Sequence, residues 1–119
     1  MVISRHIWIG VMLLAVLGIG LPAAYGQSAA DPSPARMERG KTLFIKHCAG
    51  CHGAQGKGDG YQLLGPDPAN LTASATKKKS DKALLNTIHE GKSIMPSWKV
   101  RLSEQDSRDV LAYIRTLAK

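Results

Sequence analysis

The sequence is short of the residues that usually hold a small domain together. Its 119 residues include one phenylalanine, two tryptophans, three tyrosines and two cysteines. With aromatics at 5%, the chain cannot build a large aromatic core from its own side chains. The two cysteines, Cys48 and Cys51, lie three residues apart, which excludes the disulfide framework that braces many small secreted domains. Acidic residues are also few, nine against sixteen Lys and Arg. No segment alternates apolar and polar residues as a half-buried strand does, and no internal repeat occurs. The glycine-rich stretch Gly56-Lys57-Gly58-Asp59-Gly60 follows no strand, and Gly40-Lys41-Thr42 has Ala35 where a phosphate loop needs its first glycine. Nucleotide binding is not expected on either motif, and no hydrolase triad is visible.

One long apolar run exists, from Ile7 to Leu21, broken only by glycines. Arg5 and His6 precede it, Pro22 ends it, and Ala24-Tyr25-Gly26 places small residues at the first and third positions. This is the layout of a bacterial secretory signal, with cleavage expected after Gly26 and Ala30 as the second choice. The run falls short of the roughly 20 residues of a spanning helix, so an uncleaved anchor is the lesser alternative. Membrane association would follow only from retention of this segment. The expected organisation is a signal peptide over 1–26, a flexible leader over 27–34 and a single domain over 35–119. Cleavage leaves 93 residues carrying fifteen basic and nine acidic side chains, a formal charge of +6. Export points to the periplasm or the outer membrane face. It argues against a nucleic-acid partner and leaves acidic protein surfaces as the natural complement of the charge.

Helical spacing organises the rest. Pro34 suits a first helical turn, and Met37, Gly40, Phe44 and His47 recur on one face, predicting a helix over 34–47. A glycine- and proline-rich segment over 53–79 reads mostly as loop, with a turn of helix about Leu63 and Leu64. Ser80 as cap and Gly91 as terminator bound a helix to Glu90 with Leu84, Leu85 and Ile88 as its stripe. A last helix begins at Ser103, where Ser103-Glu104-Gln105-Asp106 resembles a capping box. It carries Val110, Leu111, Ile114 and Leu117 on one face. The architecture is therefore all-α, and loops of this length in so small a domain imply that something holds them down.

Cys48-Ala49-Gly50-Cys51-His52 supplies a reason. C-x-x-C-H is the attachment sequence of haem c. Two thiols three apart on a helical turn can each add to a haem vinyl group, and the next residue sets an imidazole beneath the iron. A redox disulfide would need a βαβ context that is absent, and a zinc site would need a second pair of ligands. A covalent haem would also replace the core that the aromatics do not supply.

The stretches Gly40-Lys41-Thr42-Leu43-Phe44, Cys48-Ala49-Gly50-Cys51-His52-Gly53, Pro68-Ala69-Asn70-Leu71-Thr72, Ile94-Met95-Pro96-Ser97-Trp98 and Asp109-Val110-Leu111-Ala112-Tyr113-Ile114-Arg115-Thr116-Leu117 occur in that order. With them the chain resembles the class I monohaem c-type cytochromes. The resemblance implies a cytochrome c fold of three to five helices around one covalent haem. Cys48 and Cys51 are then the thioether sites, with His52 and Met95 as axial ligands of the iron. Met95, in a loop before Pro96, fits the family's thioether better than Met37, which lies on a helical stripe. His89, late in its helix, is the rival ligand. The resemblance further implies that a proline carbonyl receives the His52 ring N–H. Pro66 and Pro68 are both candidates, with Pro68 preferred. Gly40 and Tyr113 look like the crossing point of the first and last helices, and Trp98 lies near a haem propionate or packs in the core.

The function implied is one-electron Fe(III)/Fe(II) transfer by a periplasmic carrier, expected to be monomeric and not an enzyme by itself. A haem subunit of a dehydrogenase or oxidase complex is the alternative. A gas-binding or peroxidatic haem protein is the third reading, and it requires that Met95 be labile or absent from the iron. Lys46, Lys57, Lys92 and Lys99 are expected near the haem crevice, where they would steer an acidic redox partner. Lys77-Lys78-Lys79 reads as a solvated loop.

Overall fold

The computed structural model describes residues 32–62 and 68–117. The expected signal segment over 1–26 lies outside them, as do Leu63, Leu64 and Pro66. Five helices are present among the described residues: α1 (Pro34–His47), α2 (Ala49–His52), α3 (Ser74–Lys77), α4 (Asp81–Glu90) and α5 (Glu104–Leu117). Their only β pairing is an isolated bridge between Lys92 and Met95. The all-α expectation holds, with α3 added inside the segment expected to be mostly loop.

Each long helix starts where its capping chemistry says it should. Ser33 accepts the Arg36 N–H with Pro34 at the first helical position, and Ser80 Oγ accepts the Ala83 N–H at 3.2 Å. At α5 the box is reciprocal: Asp106 N–H donates to Ser103 Oγ at 3.0 Å, while Ser103 N–H and Oγ–H donate to Asp106 Oδ2 at 3.2 and 2.8 Å. The Asp satisfies this box as a Glu would.

Helices α1 and α5 cross at Gly40. A Cβ built there would overlap the Asp109 carbonyl oxygen, so only glycine allows the two backbones to approach this closely. The partner of Gly40 is thus the Asp109–Val110 backbone. Tyr113 sits one turn further on, tilted 56° against Phe44 with ring centroids 5.4 Å apart. Phe44 is fully buried, and truncating it to alanine would cost about 3–5 kcal/mol, much of a small domain's stability of about 5–15 kcal/mol. Met37, expected on the same stripe, is only half-buried.

Beside the crossing lies a group that the pattern did not reveal. Asp109 is 1% exposed, and its carboxylate accepts from Arg36 Nε at 2.8 Å and Gln105 Nε2 at 2.7 Å. A buried carboxylate is tolerable only when paired and hydrogen-bonded, so this cluster fixes the register of α1 on α5.

The buried apolar residues form two clusters. Phe44, Val110 and Ile114 make one, and Ile88, Leu102 and Leu111 make the other. Val110 and Leu111 are neighbours on α5, so that helix serves both clusters, one from each of two adjacent positions.

The reciprocal cap makes a pH dependence. Hydrogen bonds from Ser103 and Arg39 hold the Asp106 carboxyl below its ordinary value. A depressed carboxylate stabilises the fold above the unfolded-chain pKa, near 4, and loses that contribution as pH falls through the folded value. Asp106→Ala should therefore lower stability by about 1 kcal/mol at neutral pH, with the gap to wild type closing below about pH 4. Urea melts across that range check it.

Candidate cofactor site

The site begins where α1 ends. Cys48 caps α1 with its N–H on the Phe44 carbonyl at 2.8 Å, and the single turn α2 carries the chain to His52. A helix this short leaves its carbonyls without helical partners. The following loop supplies them: N–H groups of Gln62, Gly60 and Gly58 donate to the carbonyls of Gly50, Cys51 and His52 at 2.8, 3.1 and 2.8 Å. Alternate residues of the loop thus pair, in reverse order, with consecutive residues of α2. This explains the glycine spacing. Gly58 has φ +84°, and a Cβ on Gly60 would lie 2.5 Å from the Cys51 carbonyl carbon.

His52 Nδ1 lies 2.9 Å from the Ala69 carbonyl oxygen. A carbonyl can only accept, so Nδ1 carries the proton and Nε2 keeps its lone pair for a ligand. The partner is Ala69, which corrects the expectation of Pro68. Leu71 N–H donates to the Gly56 carbonyl at 2.7 Å and fixes this stretch beside the glycine loop. There the Pro68 carbonyl oxygen faces Gly58, 2.6 Å from where its Cβ would be. Asn70 then closes the turn into α3, its Oδ1 accepting from Thr72 N–H at 2.8 Å and Thr72 Oγ–H at 2.7 Å.

Cys48 and His52 open onto a cavity of about 720 Å³, part of it continuous with solvent. Ala69, Leu71 and Thr76 wall it near the turn, Leu84, Thr87 and Ile88 from α4, and Val110, Leu111 and Ile114 from α5. Met95, Trp98 and Leu102 complete it from the loop between α4 and α5. Met95 is half-buried and packs on the cluster of Ile88, Leu102 and Leu111. Cys48 packs on the other cluster.

Residues outside the cavity are as informative. His89, the rival ligand, does not line it. Its Nε2 is 3.0 Å from Ser107 Oγ, and Ser107 is fully buried on α5. Met37 does not line it either. His47 is tilted 55° against Trp98 with ring centroids 5.2 Å apart, and burial first, then Lys46 and Arg101, lowers its pKa. The Arg101 guanidinium lies 5.6 Å from the centre of the Trp98 ring, so Trp98 lines the cavity on one side and carries a cation on another.

Sequence reasoning missed two residues here. Lys79 lines the cavity, although it belongs to the lysine run read as a solvated loop. Arg115 on α5 donates to the Lys77 and Lys79 carbonyls at 3.1 and 2.6 Å and pairs with Asp81 at 2.6 Å. It thereby fastens the α3–α4 connection, and with it Lys79, to the last helix. Neither residue belongs to a motif, and only the bonds of Arg115 to the carbonyls of that connection bring them in.

The donors suit a covalent haem. Burial, then the neighbouring Cys51, pushes the Cys48 thiol up to about 11. Among the described residues no group of three or more His, Cys, Asp and Glu is placed to hold a metal ion on its own. The cavity instead offers the Cys48 thiol, an oriented imidazole and a thioether among apolar walls, with Cys51 one turn on in α2 and outside that lining; imidazole and thioether are donors that haem iron takes.

A family model described as Cytochrome c matches residues 37–118. Cytochrome c6 of Synechocystis sp. is 30% identical over 93% of this chain and 88% of its own length. The cbb3-type cytochrome c oxidase subunit FixP of Bradyrhizobium diazoefficiens is 34% identical over 82% of this chain, which spans 30% of that subunit. Among solved structures, cytochrome CL of Methylophaga aminisulfidivorans superposes with a TM-score of 0.59 at 27% identity, over 77% of this chain and 61% of its own. The c-type cytochrome KustC0563 does so with a TM-score of 0.57 at 26% identity, over 67% of this chain and 98% of its own.

The cavity makes folding depend on its occupant. Cys48→Ala combined with Cys51→Ala should leave protein that is largely unfolded or degraded in the cell. A stable, fully helical double variant by circular dichroism would contradict this.

Proposed function

The chain belongs to the cytochrome c family, and on that premise we propose that it is an exported electron carrier whose haem iron is held between His52 and Met95. Haem-based electron transfer by one haem c, attached through Cys48 and Cys51, is the property of the family. The observation that supports the finer reading is the meeting of Cys48, His52 and Met95 on one apolar cavity, with the imidazole oriented by the Ala69 carbonyl.

When bound, the haem supplies one-electron Fe(III)/Fe(II) chemistry, and the chain sets its terms. His52 presents Nε2 while Nδ1–H stays on Ala69, which fixes ring orientation and raises the basicity of the ligand. Met95 presents a thioether, and an imidazole–thioether pair gives a higher reduction potential than two imidazoles. Leucine, isoleucine and valine side chains from α4 and α5 line the cavity and would keep water from the bound group. With His52 and Met95 both holding the iron, no coordination site would be left for a substrate, which is why a carrier is favoured over a gas-binding or peroxidatic protein.

A fixed relay within an oxidase-type assembly is the second reading. It is supported by the oxidase subunits FixP and CcoP among the relatives, of which this chain spans about 30%. Export rests on the segment over 1–26. No helix among the described residues is long and apolar enough to cross a membrane. Stable co-purification with a catalytic subunit would favour the relay over the shuttle.

Docking follows from charge. The partner we propose presents acidic groups to Lys46, Lys57, Lys92 and Lys99, which flank the haem motif and the Met95 loop in sequence. Lys99 is the weakest candidate among them, because it already pairs with Glu90 at 2.9 Å on the surface. Lys79 joins the set because it lines the cavity. Surface charges are screened beyond about 8 Å at physiological salt, so the bimolecular rate of reduction by the native donor should fall steeply with added salt. Lys92→Glu should slow that rate and leave the potential unchanged, whereas Lys79→Glu should alter both. A rate that is independent of salt and unchanged in Lys92→Glu would point to apolar docking or a permanent contact.

The ligand assignment has its own test. Met95→Ala should abolish the sulfur–iron charge-transfer band of the ferric protein, lower the potential and admit carbon monoxide or cyanide, whereas Met37→Leu should change little. A native ferric spectrum in Met95→Ala, together with an altered one in His89→Ala, would overturn it.

A further inference from the structure

The loop that carries Met95 is built as one unit on the carboxyl end of α4. Gly91 ends the helix with φ +76°, its N–H on the Thr87 carbonyl at 3.0 Å. Lys92 and Met95 then exchange backbone hydrogen bonds in both directions, at 3.1 and 3.0 Å, across a four-residue turn. Inside that turn Ser93 has φ +55°, the only non-glycine residue with positive φ among the described residues. After Pro96 the chain returns to the same helix end. Trp98 N–H donates to the Ile88 carbonyl at 3.1 Å, Lys99 N–H to the His89 carbonyl at 3.4 Å, and Ser97 Oγ–H also to His89. The last carbonyls of α4 thus hold both ends of the loop, and Met95 lies between them.

Gly91 is wedged against this arm. A Cβ built on it would overlap the Met95 carbonyl oxygen and stand 2.9 Å from both the Pro96 carbonyl carbon and the Ser97 nitrogen. All three are backbone atoms, so none can rotate away as a side-chain tip would. Left-handed backbone is open to glycine and disfavoured for other residues, most of all β-branched ones. A methionine thioether is a weak axial donor, so the closure of its coordination position depends on how completely the loop is ordered before the bond forms.

We propose that Gly91 and the left-handed Ser93 are positioning residues for Met95, and that the turn they define decides whether the sixth position of the iron stays closed to other ligands. The inference rests on the reading of Met95 as that ligand. It adds that the thioether's residence on the iron is set by backbone geometry two to four residues upstream, on the carboxyl end of α4.

The test uses the ferric holoprotein with imidazole as the competing ligand. Gly91→Ala should bind imidazole at least about tenfold more tightly than wild type, with a weakened sulfur–iron band and a lowered potential, because strain and overlap both act on the arm. Ser93→Val should move the same three quantities in the same direction, and Ser93→Asn, which tolerates left-handed backbone, should match wild type. Far-ultraviolet circular dichroism should show unchanged helix in all three. If Gly91→Ala fails to retain haem, the Ser93 pair decides, since that side chain is exposed and lies outside the core. Wild-type imidazole affinity and band intensity in the folded variants would overturn the proposal if Met95→Ala loses the band. A Met95→Ala protein that keeps its band would overturn the ligand reading itself, and the positioning proposal with it.

Discussion

Five of the six buried residues in the two apolar clusters line a single cavity: Val110 and Ile114 from one, Ile88, Leu102 and Leu111 from the other. Only Phe44 packs wholly against protein. The core of this domain is therefore the wall of a site, and the free energy that an ordinary small domain gains by closing its core must here come from an occupant. A covalent haem meets that requirement, because it is large and apolar and cannot leave. The scarcity of aromatic side chains, the two closely spaced cysteines and the long loops are consequences of the same constraint.

The polar groups around the cavity serve to place a few atoms. The glycine loop satisfies the carbonyls of α2, and the turn at Asn70 brings the Ala69 carbonyl to His52. Arg115 collects the carbonyls of the α3–α4 connection, and Asp109 with Arg36 fixes α1 against α5. These bonds contribute about 1 kcal/mol each, or less where exposed, so their effect lies more in geometry than in stability. An electron carrier needs that geometry, since the potential of its iron depends on the ligands and their orientation.

Much of this was legible in the sequence because it is local. Helices α1, α4 and α5 announce themselves by apolar spacing and by Ser33, Ser80 and Ser103 at their starts. C-x-x-C-H is contiguous, and Met95 stands out because only one other methionine follows the first apolar run. What was not legible depends on backbone direction. Whether Pro68 or Ala69 turns its carbonyl to His52 is decided by a turn that the hydrogen bond of Leu71 to Gly56 sets, and a one-residue difference reverses it. The burial of Asp109 requires knowing that α1 brings Arg36 to that point of α5. His89 reads as a rival axial ligand late in its helix, and only the packing of α4 on α5 shows it engaged by Ser107. Lys79 is drawn from its lysine run to the cavity by Arg115, thirty-six positions away.

On the proposed reading one iron sits in this cavity between His52 and Met95. A crystal structure of the holoprotein with data collected at the iron absorption edge tests it directly. One anomalous peak is expected inside the cavity, within bonding distance of His52 Nε2 and Met95 Sδ, with His52 Nδ1 still on the Ala69 carbonyl and His89 still on Ser107. An iron bonded to His89, or one whose sixth position faces solvent while Met95 lies apart, would contradict it.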